Sequence, residues 1–362
     1  MTARIALLLA ILMAIPVSWS AYLESDPEPA RTIVPEPPAP PRPLPLPQPV
    51  PNSAQPPLAQ HIQSLQIGNP AQYGHLAVYP LLCNGRGAHN YVQTLDAALR
   101  HGWLDIRERA AASINLLRIR NTSRHAVFLM SGEIILGGKQ NRTIAQDVLL
   151  PARSGFVDIA VYCVEEGRWN AEKRFHTYDA VAAGSTRKLA ANAASQRQIW
   201  RDIDRQLSVA EVADANHNYQ ACYAEPRVRR HLDDAVSHLR LPRRAVGAVV
   251  LSNRQIVGVE IFSDPDTFSD LWPKLCRSYA MDIVVPFIDD HHHHDGHGHF
   301  DEHRRIALPR RHIVQDFLNQ MAAVHFYSEH TPGAGNRWRG ATGVGGTILD
   351  WQGSIVHATA FQ

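Results

Sequence analysis

The apolar positions along the chain predict a first half that is mostly β and a second half that is richer in helix. Short runs of β-branched and aromatic residues bounded by Gly, Pro, Asn or Ser are typical of strands, whereas apolar residues three and four apart indicate helices. Before residue 170 the pattern predicts a short helix over 91–101 and strands over 74–82, 103–107, 114–120, 126–130, 143–150 and 156–163. The turn at 121–125 predicts that the third and fourth of these strands pair as a hairpin.

After residue 184 the pattern becomes helical. Residues 185–207 are rich in Ala and free of Gly and Pro, so they predict one helix. Residues 209–236 predict helical pieces interrupted by Pro226. Two further helices are predicted, one beginning near Asp264 and one over 307–327.

Two late segments, 246–262 and 346–361, each predict a β-hairpin, and both contain Ile-Val followed by Phe at the same interval. The similarity indicates either an internal repeat whose copies pair in one sheet or a chance likeness of two amphipathic hairpins. The predicted fold class is α+β, with a β-rich N-terminal half, a helical middle and C-terminal hairpin-helix units.

The N-terminus predicts export. Arg4 precedes an apolar run that is too short for a spanning helix, and small residues follow at Ser18 and Ser20, so residues 1–20 are expected to be a signal peptide. The alternative is an uncleaved anchor facing the same compartment, the periplasm. Residues 21–60 form a Pro-rich linker, which is expected to tether the domain near a membrane or cell wall. The globular domain is expected to span 67–362.

Composition narrows the function only slightly. A length of 362 residues with 45% hydrophobic composition can bury a sizeable core. A net charge of +2 creates no strong field, so no nucleic-acid partner is predicted. The four cysteines permit disulfides in an oxidising compartment with three alternative pairings, although Cys163 at a strand end is expected to be a buried thiol. A nucleophilic Cys163 would need a base such as His176 nearby.

Candidate chemistry concentrates in residues 131–169, where two polar clusters flank the strands predicted over 143–150 and 156–163. If these strands pair as an antiparallel hairpin, both clusters lie at the same end of the sheet. Their side chains offer carboxylates, amides, guanidinium donors and one indole ring, which suit a small polar or phosphorylated ligand. The candidate ligand-binding residues are Glu133, Gln140, Asn141, Arg142, Glu165, Arg168 and Trp169.

Three interpretations of these clusters remain open. The carboxylates of Glu133 and Glu165 could pair with Arg142 and Arg168 in a buried ionic network. The same groups could bind a small anionic or polar ligand without catalysis. They could also belong to a hydrolase of phosphoryl or ADP-ribosyl substrates, in which Glu133 or Glu165 acts as the base.

A His-rich loop over 289–303 predicts a separate metal site. Clustered imidazoles mixed with carboxylates bind Zn²⁺ or Ni²⁺ readily, although the spacing is not that of a rigid site. The loop is therefore either an exchangeable metal-binding segment of an envelope protein or an inert insertion. The candidate metal ligands are His291, His292, His293, His294, His297, His299 and His303.

Four segments make the chain resemble the ARPP-1 domain family, the domain associated with ADP-ribosylglycohydrolases and rhodanese-phosphatases and formerly a domain of unknown function. They read GEIILGGKQNRTI, YCVEEGRW followed by Phe175, DLWPKLCRSYAMD and IVHATAF, and the resemblance covers about residues 67–362. It implies a link to NAD-derived or ADP-ribosyl metabolites through neighbouring genes. The chain departs from the family pattern in its export signal with the Pro-rich linker and in its His-rich insertion.

Overall fold

Three β-sheets and eight helices build the part of the chain described in this computed structural model. The described residues are 55–84, 92–109, 115–168, 172–288 and 307–362. They all fall within one compact unit, Pro40–Gln362. Within these ranges no helix is both long enough and apolar enough to cross a membrane.

The strands are β1 (Leu65–Ile67), β2 (Ala71–Tyr73), β3 (Leu76–Cys83), β4 (Gln93–Thr94), β5 (Leu104–Glu108), β6 (Leu116–Asn121), β7 (Val127–Leu129), β8 (Glu133–Gly138), β9 (Arg142–Ile144), β10 (Val148–Leu150), β11 (Val157–Cys163), β12 (Glu172–Val181), β13 (Ala245–Ser252), β14 (Gln255–Ile261), β15 (Phe326–Glu329), β16 (Asn336–Gly340), β17 (Thr347–Trp351) and β18 (Ser354–Phe361). The helices are α1 (Leu58–Gln63), α2 (Leu95–Arg100), α3 (Gly184–Ala191), α4 (Gln196–Val209), α5 (Tyr219–Ala224), α6 (Pro226–His238), α7 (Pro265–Ile288) and α8 (Arg311–Ala322). This mixture of sheets and helices confirms the α+β prediction.

The largest sheet has nine antiparallel strands in the order β1-β3-β13-β14-β18-β17-β16-β15, with β2 also paired to β3. The two late hairpins, β13–β14 and β17–β18, lie side by side because β14 pairs with β18. Both hairpins turn through two residues with positive φ, as a two-residue type I′ turn requires. Glu260 and Thr359 are equivalent positions in the two hairpins and face each other across the β14–β18 pair. An approximate twofold axis therefore passes near them.

Each face of this large sheet is covered by helices. On one face α1 and α8 bury apolar side chains such as Ile62 and Phe317 against the strands. On the other face α7 packs Trp272 and Tyr279 into a core that also contains Phe262. Helix α7 can lie along the sheet because its apolar residues recur at helical spacing.

The N-terminal half contributes a six-stranded sheet, β12-β8-β9-β11-β6-β5, and a three-stranded sheet, β10-β7-β4. The two sheets share a separate apolar core that includes Ile119, Ile135, Val148 and Ile159. Alternation of apolar and polar residues along β6 and β11 turns one face of these strands into the core and the other toward solvent.

Two strand predictions in this half are wrong. Strand β7 does not pair back on β6 but joins β10 and β4 in the smaller sheet. The strand predicted over 143–150 is split into β9 and β10, and only β9 pairs with β11. The split lies at Asp147, whose carboxylate accepts a hydrogen bond from the Ser131 amide (2.8 Å). This contact takes the chain out of the six-stranded sheet.

Several helix boundaries also differ from the prediction. The helix predicted over 185–207 is two helices, because Ala193 takes a positive φ of 52° and Ser195 starts α4 with a reciprocal capping box. The predicted interruption at Pro226 is confirmed, because α5 ends at Ala224 and Pro226 occupies the first turn of α6, where a missing amide proton costs nothing. The helix predicted over 307–327 ends at Ala322, and the chain continues as β15. The predicted signal peptide, most of the Pro-rich linker and the His-rich loop lie outside the described residues.

Candidate functional site

Strand pairing brings together the two polar clusters that the sequence places on either side of β9 and β11. Arg142 on β9 lies opposite Cys163 on β11. The Nε atom of Arg168 then reaches both carboxylate oxygens of Glu165 at 3.0 and 2.9 Å, and its Nη2 atom donates to Oδ1 of Asn141 at 2.9 Å. The first cluster and the second are thus joined by direct hydrogen bonds.

These contacts are almost sealed from solvent. Gln140, Asn141, Arg142 and Glu165 are at most 4% exposed, and the Arg168 side chain is 22% exposed. The Arg142 guanidinium donates to the Gln140 carbonyl at 2.6 Å. Arg142 also lies 3.6 Å from the carboxylate of Glu108, and the Glu165 carboxylate accepts a further hydrogen bond from the Asn141 amide at 3.1 Å. These contacts have the geometry of a buried ionic network, and Arg168 is the most exposed of the cluster residues that the structure describes.

Two glycines make this arrangement possible. Gly137 and Gly138 have φ values of +104° and +64°, a region that other residues rarely adopt. A Cβ atom on Gly137 would lie 2.1 Å from the Arg174 carbonyl oxygen, and one on Gly138 would lie 2.4 Å from a carboxylate oxygen of Glu108. The bend at these residues lets both Gln140 and Asn141 contribute to the cluster, although neighbours in a regular strand point to opposite faces.

Glu133 does not join the cluster. It begins β8, whereas Gly138 ends that strand, and five residue steps separate them by roughly 16 Å. Its carboxylate accepts a hydrogen bond from the Met130 amide at 2.9 Å and lies 3.4 Å from the Lys274 ammonium. Burial raises the pKa of Glu133 to about 7, although the charge of Lys274 opposes the increase.

The remaining predicted residues cannot be placed. Trp169 and the seven candidate metal ligands of the His-rich loop lie outside the described residues. Among the residues that the structure does describe, no group of three or more His, Cys, Asp and Glu side chains could hold a metal ion. No disulfide links any of the four cysteines, all of which the structure describes. Burial raises the pKa of Cys163 to about 11, which disfavours the thiolate that a nucleophile needs.

A second buried network, which the sequence pattern did not reveal, surrounds Glu260 on β14. Its carboxylate accepts hydrogen bonds from Arg187 at 2.6 Å and from the Tyr279 hydroxyl at 2.7 Å. The ring of His357 bridges two carboxylates, with Nε2 2.7 Å from Glu260 and Nδ1 2.7 Å from Asp147. The network ties α3 and α7 to adjacent strands of the large sheet and to the split between β9 and β10.

Electrostatics keep this network charged. Burial would raise the pKa of Glu260, but the positive charges of Arg187 and His357 outweigh it and lower the pKa to about 2. Burial would lower the pKa of His357, but Asp147 and Glu260 outweigh it and raise the pKa to about 9. The imidazole is therefore protonated near neutral pH and donates from both nitrogens.

Beside this network a pocket of about 450 Å³ opens between the end of α3, the 340–346 loop and strands β17 and β18. The residues that line it include the cationic Lys188 and Arg339 together with Thr359 and Phe361. None of the described residues that line it is Asp or Glu. Arg187 connects the pocket to the buried network, because its guanidinium carbon lies 5.0 Å from the centre of the Phe361 ring.

The wall formed by residues 340–346 depends on glycine. Gly346 has a φ of +63°, and a Cβ atom on it would lie 1.9 Å from the Thr359 carbonyl oxygen. Gly340 and Gly345 approach each other so closely that a Cβ on Gly340 would lie 2.6 Å from the Gly345 Cα atom. A Cβ on Gly343, in contrast, would meet nothing within 4 Å. The loop therefore packs tightly onto β18 and leaves its tip open.

Two residues of the Glu260 network stand out in the sequence, although their partners do not. Glu260 and His357 are charged or polar residues inside otherwise apolar strands, and a buried ionisable group needs a partner. His357 lies in the IVHATAF segment that already supported the family resemblance. The identity of the partners, Asp147, Arg187 and Tyr279, depends on contacts far apart in sequence and could not be read from spacing.

Comparison with known proteins identifies the domain but not its activity. No match was found either among curated proteins or among solved structures. One family model, described as the ARG and Rhodanese-Phosphatase-superfamily-associated Protein domain, matches residues 64–361. Since this match covers most of the chain, the protein belongs to the ARPP-1 domain family.

Proposed function

We propose that this ARPP-1 domain binds a small anionic ligand in the pocket between α3 and the 340–346 loop. The observation that carries the proposal is the lining of that pocket, which presents the cationic groups of Lys188 and Arg339 and no carboxylate side chain among the described residues. Such a lining attracts anions and gives them charge-assisted hydrogen bonds.

The two cations differ in how firmly they are held. Arg339 donates to Glu329 at 2.5 Å and to the Ala191 carbonyl at 2.8 Å, so its guanidinium is fixed at the wall of the pocket. Lys188 is exposed on α3 and has no ion-pair partner among the described residues. We infer that Arg339 positions the ligand and that Lys188 supplies the mobile charge that neutralises it.

Size and polarity indicate a ligand with an organic part. A volume of about 450 Å³ lies within the range of small-molecule sites, roughly 300–1,000 Å³, and exceeds what a bare phosphate ion fills. The Phe361 ring offers an apolar contact in the same wall.

Thermal unfolding in the presence of candidate anions tests the proposal. The probes are pyrophosphate and AMP, with adenosine as the uncharged comparison. A ligand that binds only the folded state, supplied at a concentration of 100 times its Kd, stabilises the protein by about 2.7 kcal/mol. That stabilisation raises the Tm clearly. We expect at least one anion to raise Tm and the charge reversal Lys188→Glu to remove that rise. The control Arg197→Glu, which reverses an exposed cation on α4, should preserve it. Equal loss in both variants, or no rise with any anion, contradicts the proposal.

The ligand-binding role predicted for the Glu165–Arg168 cluster stays a proposal, with Arg168 as its solvent-facing residue. The same thermal assay tests it through Arg168→Ala: loss of ligand stabilisation with an unchanged ligand-free Tm would support binding at the cluster. A lower ligand-free Tm with an unchanged ligand shift would support the structural network. The hydrolase alternative, in which Glu133 or Glu165 acts as the base, also stays a proposal. Loss of turnover with retained binding in Glu165→Gln would support it, and a substrate panel without turnover would count against it.

Export and metal binding are also proposals that rest on the sequence. Cell fractionation should find the protein in the periplasm or tethered to the membrane, and a cytoplasmic location would contradict export. Deletion of residues 291–299 should remove most Zn²⁺ or Ni²⁺ uptake in a titration, and an unchanged stoichiometry would dismiss the His-rich loop as a metal site.

A further inference from the structure

An arginine cluster surrounds one aromatic ring on the outer face of the six-stranded sheet. The guanidinium carbons of Arg107, Arg118 and Arg120 lie 4.6, 5.6 and 4.6 Å from the centre of the Phe156 ring. Arg107 and Arg118 are directly paired across β5 and β6. We call these three arginines and Phe156 the arginine patch. Cation–π contact explains how one ring holds several guanidinium groups close together.

Carboxylates fix the patch but do not neutralise it. Asp105 bonds both Arg107 and Arg120 at 2.8 Å. Asp158 lies 3.0 Å from Arg109 and 3.6 Å from Arg118. Two carboxylates thus share four guanidinium groups, which leaves a local excess of positive charge held in defined positions.

The patch is available to a partner. The side chains of Arg107, Arg118 and Arg120 are 58%, 50% and 41% exposed, so several guanidinium donors remain open to solvent. The opposite face of the same strands is fixed by the buried side chains of Leu117 and Ile119. The guanidinium groups are therefore presented by a rigid sheet, which reduces the entropy lost when they bind.

We propose that the arginine patch docks this domain onto an anionic bilayer surface, with lipid phosphates as the groups that the guanidiniums bind. Three guanidinium groups spread over two exposed strands suit an extended anionic surface better than a single small molecule, and guanidinium binds phosphate bidentately. The chain also carries the N-terminal apolar segment and Pro-rich linker, which are expected to keep the domain near a membrane. The patch adds a second, electrostatic contact to that tether.

Co-sedimentation of the full chain with vesicles tests this docking. The vesicles are made either of phosphatidylcholine alone or of phosphatidylcholine mixed with phosphatidylglycerol. Both kinds of vesicle present the same hydrocarbon interior to the N-terminal apolar segment, so the difference between the two isolates the electrostatic contact. We expect tighter partitioning onto the anionic vesicles and a decline with added salt.

The decisive variant is the double charge reversal Arg107→Glu with Arg120→Glu. Its matched control is Arg197→Glu with Arg201→Glu, which changes the net charge equally at exposed positions on α4. Since each cation near an anionic surface contributes about 1 kcal/mol, we expect the patch variant to lose at least tenfold in partitioning onto anionic vesicles. The control should retain most of it, and neither pair should change binding to neutral vesicles.

Three results would overturn the proposal: equal losses in the two double variants, equal partitioning of the native chain onto both kinds of vesicle, or binding only to a soluble polyanion such as polyglutamate. The last result would assign the patch to an acidic protein partner. If the charge reversals reduce folding, as circular dichroism would show, Arg107→Gln with Arg120→Gln replaces them and should lose at least threefold. Failure of this test leaves the pocket proposal unaffected, because the two surfaces share no residue.

Discussion

Replacing Arg187 with Met should destabilise the protein severely, because it removes one partner of a fully buried ion pair. The Arg187 and Glu260 side chains are at most 1% exposed, and Nη1 of the arginine lies 2.6 Å from the carboxylate. Methionine fills a similar apolar volume, so the variant changes the charge more than the packing.

The expected cost follows from the charge that is left behind. Without Arg187, the Glu260 carboxylate keeps hydrogen bonds from His357 and Tyr279 but loses its guanidinium partner in the interior. Breaking a buried pair in this way costs about 3–5 kcal/mol. Against a total stability of roughly 5–15 kcal/mol for an ordinary domain, that loss is a large fraction.

Urea denaturation, followed by far-UV circular dichroism, measures the change in the free energy of unfolding. The matching variant Glu260→Gln and the double variant complete a thermodynamic cycle. We expect the double variant to cost less than the sum of the two single variants by at least about 1 kcal/mol, because the second substitution removes the uncompensated charge. A single-variant loss below about 1 kcal/mol, or strictly additive costs, would refute the assignment of Arg187 and Glu260 as a buried ion pair.

Three further tests, which use four substitutions, address separate parts of the structure. The pKa of His357 is raised from 6.5 to about 9, so its contribution to stability should be complete below pH 6.5 and be lost as the pH rises through 9. The variant His357→Gln should therefore flatten the pH dependence of the free energy of unfolding over that interval. Gly346→Ala should cost more than about 2 kcal/mol in urea denaturation because its Cβ would clash with the backbone of β18, whereas Gly343→Ala should lie within about 0.5 kcal/mol of the native protein. Glu165→Gln should lower the free energy of unfolding by about 1–3 kcal/mol, since it weakens the charge-assisted bonds from Arg168, and a neutral result would contradict the buried network.

Local sequence patterns predicted much of the fold because they reflect the preference of neighbouring residues for helix, strand or turn. Alternation and turn residues predicted the two late hairpins. The Ile-Val…Phe spacing left open an internal repeat paired in one sheet or a chance likeness, and the pairing of β14 with β18 places both hairpins in one sheet. The pattern failed where tertiary contacts decide: β7 pairs with β10 rather than β6, and Asp147 splits one predicted strand into two sheets. Neither event has a local periodicity that could reveal it.

The candidate site shows the same division. The glycine-flanked turn and the acidic turn could be placed together from strand pairing, and Asn141 does bond Arg168. Proximity in sequence places Glu133 in the same group, but it faces Lys274 at the other end of its strand. No local pattern predicts the pocket, because its walls come from α3, the 340–346 loop and β18, which only the folded chain brings together.

A crystal structure of the chain soaked with tungstate tests the central claim most directly, because the anomalous scattering of this oxyanion locates it without prior assumptions. The account predicts a tungstate ion in the pocket, within hydrogen-bond distance of Lys188 or Arg339, and its loss in the Lys188→Glu variant. Tungstate bound elsewhere on the domain while the pocket holds none would contradict the claim that this pocket is an anion-binding site.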